Sequence, residues 1–207
     1  MIDTAFLITA FVTMFVVIDP IGLAPLFVAL TQGVPEKQRR RIAIRACGIG
    51  MAILIVFGLF GEAVLGFVGI SMPAFRVAGG VLLFLTALDM LFERRTKRRE
   101  DTSEEEDFDD PSVFPIAIPL IAGPGAIASV ILLTGQKPGV EGLALVLAIT
   151  GLVLGVVLVF FLASSLLERA MGKTGITVVS RLLGMLLAAL SVQFVLDGLR
   201  NFGLMPG

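Results

Sequence analysis

Hydrophobic residues run in long blocks along this chain, separated by short polar connections. Six apolar stretches cover about residues 4–31, 42–67, 73–91, 113–135, 142–167 and 176–199. At 1.5 Å of rise per helical residue, a hydrocarbon layer of about 30 Å is crossed by roughly 20 residues, so each block is long enough to span a bilayer. The blocks lack the period-two alternation of a membrane β-barrel, and lipid offers no water to unpaired backbone groups. The pattern therefore predicts an all-α fold, a six-span transmembrane helix bundle with the lipid bilayer as its partner.

Composition agrees. Of 207 residues 57% are hydrophobic and 16% charged, and the mean hydropathy is +0.99, more apolar surface than a soluble monomer of this length can bury. The net charge of -1 conceals a segregation that reports topology rather than a nucleic-acid partner. Lys37, Arg39, Arg40 and Arg41 lie in the first connection, Arg94, Arg95, Lys97, Arg98 and Arg99 in the third, and Arg169 and Lys173 in the fifth. The second connection has no basic residue and the fourth only Lys137. The positive-inside rule then makes the odd connections cytoplasmic, with both termini outside a cell inner membrane. The first twenty residues lack a basic n-region and a small-x-small cleavage site, and are expected to be a retained span. Cys47 alone excludes an intramolecular disulfide framework, and with no His the chain is not expected to hold a transition metal.

The two halves echo one another. Gly69-Ile70 is followed by Arg76-x-x-Gly79, and Gly175-Ile176 by Arg181-x-x-Gly184; Glu62 and Glu168 each lie seven residues before the glycine of that pair. Pro20-Ile21-Gly22 precedes Thr31 by the same separation, nine residues from the glycine, that Gly123-Pro124-Gly125 keeps from Thr134, counted from its second glycine. Three spans per copy is odd, so a second copy enters the membrane upside down. The expected organisation is a first three-helix repeat over 1–92, a charged cytoplasmic linker over 93–112 and an inverted repeat over 113–207.

Both repeats carry helix breakers in mid-span. Asp19-Pro20-Ile21-Gly22 with Pro25 interrupts span one, and Pro115, Pro119 and Gly123-Pro124-Gly125 interrupt span four. Broken helices are tolerated at that depth where the freed groups face protein or a polar cavity, and half-helix N-termini there attract anionic groups. The candidate substrate-binding set is Asp19, Pro20, Gly22, Gly123, Pro124, Gly125 and Ser129. Asp19 is open to several roles: capping the half-helix after it, taking a coupling proton or Na⁺, or binding a substrate ammonium. Arg76 and Arg181, with Glu62, Glu168, Asp89 or Asp197 as partners, are candidates for gates or interhelix ion pairs. Gly151-x-x-x-Gly155 is a contact motif for packing within the protomer.

The blocks IDPIGLAPLF (18–27), FRVAGGVLLFLTALDM (75–90), FPIAIPLIAGPGAI (114–127) and SRLLGMLLAALSVQFVLDG (180–198) resemble the hallmark segments of the MarC family of bacterial and archaeal inner-membrane proteins. The resemblance implies a six-span protein of the LysE-like exporter superfamily, some of whose members are described as carriers of small neutral amino acids such as glycine and alanine coupled to cation gradients. On this basis the chain is expected to be a secondary transporter working by alternating access, with no cofactor beyond a coupling Na⁺ or proton. The alternatives are an exporter of other small solutes, including drugs, and a non-transporting scaffold or stress-response accessory. An enzyme is not expected, because His, paired central carboxylates and G-x-S-x-G are all missing, and no nucleotide-binding G-x-x-x-x-G-K-[ST] is present.

Overall fold

The computed structural model describes residues 4–92 and 110–203, apart from the side chains of 165–169, Met171 and Lys173. Most of the charged linker expected over 93–112 therefore lies outside the described residues. The chain forms α1 (Thr4–Ile18), α2 (Pro20–Leu30), α3 (Glu36–Val68), α4 (Met72–Leu91), α5 (Ser112–Ile121), α6 (Pro124–Gln136), α7 (Val140–Leu162) and α8 (Ser164–Asn201). No strand occurs among the described residues. Five helical runs are long and apolar enough to cross a membrane, and the pair α5 and α6, bent by 53°, makes a sixth when taken as one span. The all-α multi-span class is thus observed.

Local chemistry explains the ends. Helix α3 stops where Gly69 turns left-handed (φ 80°), with Ile70 N–H donating to Leu65 O and Gly69 N–H to Gly66 O, a Schellman closure that satisfies the last carbonyls. Two residues on, Ser71 caps α4 by accepting from Ala74 N–H at 3.3 Å, with Pro73 in the first turn. Span five was expected to run to 167; it ends at Leu162, and the following helix breaks at Gly172 (φ 64°) before its membrane-length part, Thr174–Asn201. Helix α3 begins at Glu36, ahead of its apolar block, because charged residues outside hydrocarbon continue a helix freely.

The interrupted spans occupy the centre. Half of the α1–α2 span is buried, and α6 buries Gly125, Ala126 and every residue from Ala128 to Leu133. By contrast α3 turns Val56, Phe57, Leu59, Phe60 and Val64 outward, as a lipid-facing helix must when hydrocarbon is its solvent. Helix α2 packs on α7 and α8, and α6 packs on α3 and α4; α1 lies on α7, and α5 on α3. Two further pairs, α3 with α7 and α4 with α8, join the halves, and α1 also touches α6 and α8.

The α4–α8 pair is the most extensive contact, and glycine permits it. A Cβ on Gly80 would stand 2.8 Å from Ser191 O and 3.0 Å from Val195 N, and one on Gly198 would stand 3.0 Å from both Pro73 O and Val77 N. These are backbone atoms, so a side chain is accommodated only by moving a helix. Gly184 meets Met90 and Ala87 at the other end, which fixes the pair as antiparallel. We expect Gly80→Val to cost about 1–3 kcal/mol, the usual penalty of overpacking, and to lower the melting temperature followed by circular dichroism in detergent. Gly48→Ala, at a helical position with nothing within 4 Å of the added Cβ, should leave melting unchanged or slightly raise it.

Candidate functional site

Where α1 meets α2 the chain passes through one left-handed residue, Asp19 (φ 59°, ψ 65°), the single non-glycine residue with positive φ among those described. Short polar side chains tolerate this conformation because they can hydrogen-bond locally. Asp19 does so: its Oδ1 accepts from Gly22 N–H at 3.0 Å, capping α2 behind Pro20. Its own N–H still donates to Phe15 O and its carbonyl still accepts from Leu23 N–H, both at 2.9 Å. These two backbone bonds flank the interruption, where Pro20 has no N–H and Gly22 N–H turns to the carboxylate, and Thr4–Leu30 remains one span. Gly22 lacks a side chain for a steric reason, since a Cβ there would collide with Asp19 Oδ2. At 3% exposure, the carboxylate is enclosed.

The second interruption is built differently. In α5, Phe114 and Ile118 are extended, each ahead of a cis proline (Pro115 and Pro119), and the bonds kept are the wide ones from Ile116 N–H to Pro111 O and Ala122 N–H to Ala117 O. The chain then turns at Gly123, where a Cβ would strike Pro119 O, and α6 starts at Pro124. Gly123 has no side chain to cap this helix. Ile127 N–H donates to Gly123 O at 3.0 Å, which leaves Gly125 and Ala126 as the first amide donors of α6 behind a proline that has none.

The two breaks meet. A Cβ on Gly125 would lie 3.1 Å from Val17 Cγ1, 3.6 Å from Leu83 and 3.7 Å from Thr86 Oγ1, which sets the N-terminus of α6 against α1 two residues from Asp19. At the far end Lys137 Nζ stands 6.0 Å over the Phe6 ring, so α1 and α6 are antiparallel. Ser129 is four residues beyond Gly125 and Thr13 four before Val17, which puts both one turn to the same side of the contact, on facing surfaces. Both are fully buried, and neither hydroxyl has a hydrogen-bond partner among the described residues. Other buried hydroxyls behave otherwise: Thr31, Thr150, Ser164 and Ser191 each donate to a carbonyl three or four residues back in the chain. An orphaned buried hydroxyl costs roughly 1–3 kcal/mol, so two of them beside a bare helix end single out this level of the bundle.

About 12 Å further along α2, eight residues past Asp19, an aromatic layer closes the basic side. The rings of Phe27 and Phe161 stack at 4.4 Å and 7°. The Arg39 guanidinium lies 5.3 Å over Phe27, and its Nη2 donates to Ser164 Oγ at 2.5 Å. Nothing in the residue types marked this group, or Thr13, as special: Thr4 and Thr9 stand in the same first span.

The expected site residues therefore fall into two places. Asp19, Pro20, Gly22, Gly123, Pro124, Gly125 and Ser129 belong to the two breaks and the turn beyond them. Arg76, Asp89, Arg181 and Asp197 belong to the α4–α8 pair, whose register brings Asp197 to the level of Arg76 and Arg181 to the end of α4 that carries Asp89. Arg76, for which an interhelix ion pair was a candidate, is 8% exposed, has no ion-pair partner among the described residues and leaves Nε without an acceptor. Asp197 instead accepts from Gln193 Nε2, one turn back, at 2.8 Å. No cluster of three metal-ligating side chains occurs among the described residues.

Residues 4–202 match the family described as MarC family integral membrane proteins. A UPF0056 membrane protein of Methanocaldococcus jannaschii is 35% identical over 202 residues, covering 96% of this chain and 98% of the relative. The UPF0056 membrane protein YvbG of Bacillus subtilis is 33% identical, with 95% of each chain covered. The UPF0056 inner membrane protein YhgN of Escherichia coli is 34% identical, with 94% of this chain and 96% of the relative covered. No solved structure matches.

Capping at Asp19 can be separated from its charge. Asn caps helices and tolerates left-handed backbone as Asp does, whereas Ala does neither. Asp19→Ala is expected to destabilise by about 1–2 kcal/mol, and Asp19→Asn by less than half as much, in thermal melts of the purified protein. Gly22→Ala, which displaces the carboxylate, should fall with Asp19→Ala.

Proposed function

Since the chain belongs to the MarC family of integral membrane proteins, we propose that it is a multi-pass secondary transporter of small neutral amino acids, residing, like YhgN, in an inner membrane. The observation that carries this reading is the uncapped N-terminus of α6 seated against α1, two residues from the buried carboxylate of Asp19.

A zwitterion needs an anion site and a cation site a few ångströms apart. The amides of Gly125 and Ala126, with the positive end of the α6 dipole, suit an α-carboxylate. Asp19 suits the ammonium, and the hydroxyls of Ser129 and Thr13 stand on the third side. A carboxylate at one helix end and none at the other is what this assignment requires.

Two inverted three-helix repeats, the arrangement that alternating access would use, are supported by part of the packing, although the contacts of α1 with α6 and α8 have no counterparts of comparable extent. The contacts of α2 with α7 and α8 correspond to those of α6 with α3 and α4, and the contact of α1 with α7 to that of α5 with α3. Such correspondence is what a pseudo-two-fold axis in the membrane plane generates. On this reading the layer of Phe27, Phe161 and Arg39 is the barrier on the basic, cytoplasmic side. It rests on α2, the half-helix that Asp19 begins, so movement of the substrate site and movement of the barrier are mechanically joined.

Protein in liposomes should take up or release labelled alanine or glycine under an imposed Na⁺ or proton gradient. Inactivity across small amino acids would leave a scaffold as the better account. Losing a charge-assisted contact worth about 1.5–3 kcal/mol, Asp19→Asn should raise KM by roughly tenfold or more, in exchange and net flux alike. Loss of gradient-driven flux with exchange intact would instead assign Asp19 to ion coupling.

Barrier function has its own readout. With Cys47 replaced by Ser and a cysteine at Leu23, a membrane-impermeant thiol reagent supplied from the basic side should react faster when Phe27→Ala removes the stack. An unchanged rate would remove Phe27 from the barrier.

A further inference from the structure

A cleft of about 590 Å³ opens between the N-terminal turns of α3 and the start of α5, and neither Asp19 nor Gly125 lines it. Lys37, Arg41 and Arg45 line one wall. They recur every fourth residue, so they stack on a single face of α3. Ile42 and Ser112 contribute to the lining, and Asp110 stands opposite the cations.

The charges do not balance. Asp110 pairs with Arg45, and it accepts from both the hydroxyl and the N–H of Ser112. The Ser112 hydroxyl, aided by the Ser112 amide and the Arg45 guanidinium, holds the Asp110 carboxyl below its usual pKa, so it stays ionised at neutral pH and offsets one cation. Lys37 and Arg41 have no ion-pair partner among the described residues. Among the described residues the cleft thus keeps an excess of two positive charges facing a single carboxylate.

Depth decides what meets them. With 33 residues, α3 is about 50 Å long, against a hydrocarbon layer of about 30 Å. The apolar run after Arg45 fills that layer, which leaves the turns bearing Lys37, Arg41 and Arg45 at the level of the lipid phosphates. From Arg45 an exposed stripe runs deeper along α3 through Gly48, Ala52 and Val56, the last 52% exposed, a surface for an acyl chain.

We propose that this cleft binds the phosphate of an anionic phospholipid, with Lys37 and Arg41 on the phosphate oxygens and Arg45 shared with Asp110. Guanidinium forks match phosphate oxygens, and basic pockets between helices at a membrane face suit phosphate headgroups. The site is independent of the transport assignment and needs only that α3 spans the bilayer.

The test uses the full chain in a neutral detergent, with bound lipid counted by native mass spectrometry and melting followed by circular dichroism, because the chain has no Trp or Tyr to report by fluorescence. Phosphatidylglycerol should be retained through delipidation and should raise the melting temperature, whereas phosphatidylcholine and inorganic phosphate should not. Lys37→Gln and Arg41→Gln should each weaken retention roughly fivefold, Arg41→Lys should recover part of it, and Asp110→Asn should strengthen it. Arg200→Gln, at the far end of α8, controls for loss of charge alone. Equal retention of phosphatidylcholine, equal loss in Arg200→Gln, or undiminished retention in the double variant Lys37→Gln/Arg41→Gln would overturn the proposal. A matching shift with inorganic phosphate would reassign the cleft to a soluble anion. If a variant fails to fold, the gain expected for Asp110→Asn still decides.

Discussion

Hydrocarbon cannot hydrogen-bond, so every backbone group freed inside it needs a partner from the protein, and this one constraint shapes the centre of the bundle. A helix interrupted at mid-membrane exposes amide donors at the new N-terminus, each costing several kcal/mol if left dry. The chain interrupts two spans and resolves the two cases by opposite means. At Asp19 a carboxylate is built in to take the freed Gly22 amide, backbone bonds flank the break, and the span continues. At Gly123 no side chain is supplied and the span bends by 53°.

Packing follows from that choice. Interrupted segments must sit away from lipid, and α6 is accordingly buried along almost its whole length while α3 faces outward. Small residues carry the close approaches: Gly125 admits Val17, Gly79 admits Leu132, and Gly80 admits the backbone of α8. With lipid as apolar as leucine, such contacts are held by shape rather than by exclusion of water, which is why glycine rather than a large side chain marks them.

Much of this was legible in the residue order. Block length gave the spans, and Asp-Pro-x-Gly and Gly-Pro-Gly gave the breaks, because proline and glycine act locally; capping was one of several roles left open to Asp19. Similar signals nevertheless produced one continued span and one bent one. The difference lies in Asp19, whose left-handed backbone keeps the bonds to Phe15 and Leu23, and in the added prolines of α5. Features that depend on interhelix register were not legible. Ser129 was marked by its place just after Gly-Pro-Gly, but Thr13 looks like any hydroxyl in a membrane helix, and only the antiparallel seating of α1 on α6 brings the two to one level. The Phe27–Phe161 stack joins residues 134 positions apart, and Arg76, readable as a gate or ion-pair candidate, has no ion-pair partner among the described residues.

The contrast between the two breaks bears on what the centre can accept. Two carboxylate-capped ends would repel any anionic group; two bare ends would draw one in and leave an accompanying cation unpaired in a low-dielectric setting, where isolated charge is costly. One capped and one bare end meet through Val17 and Gly125. On the proposed function, a dipolar solute is the species whose two charges would both find a partner there. Close packing at this level matters as much as its polarity. With Asp19 and Ser129 enclosed and Leu83 and Thr86 against Gly125, a bulky solute would have to part helices held together backbone to backbone, whereas a small one asks only for the half-helices to move. Discrimination by size would then come from the same glycine contacts that hold the bundle together.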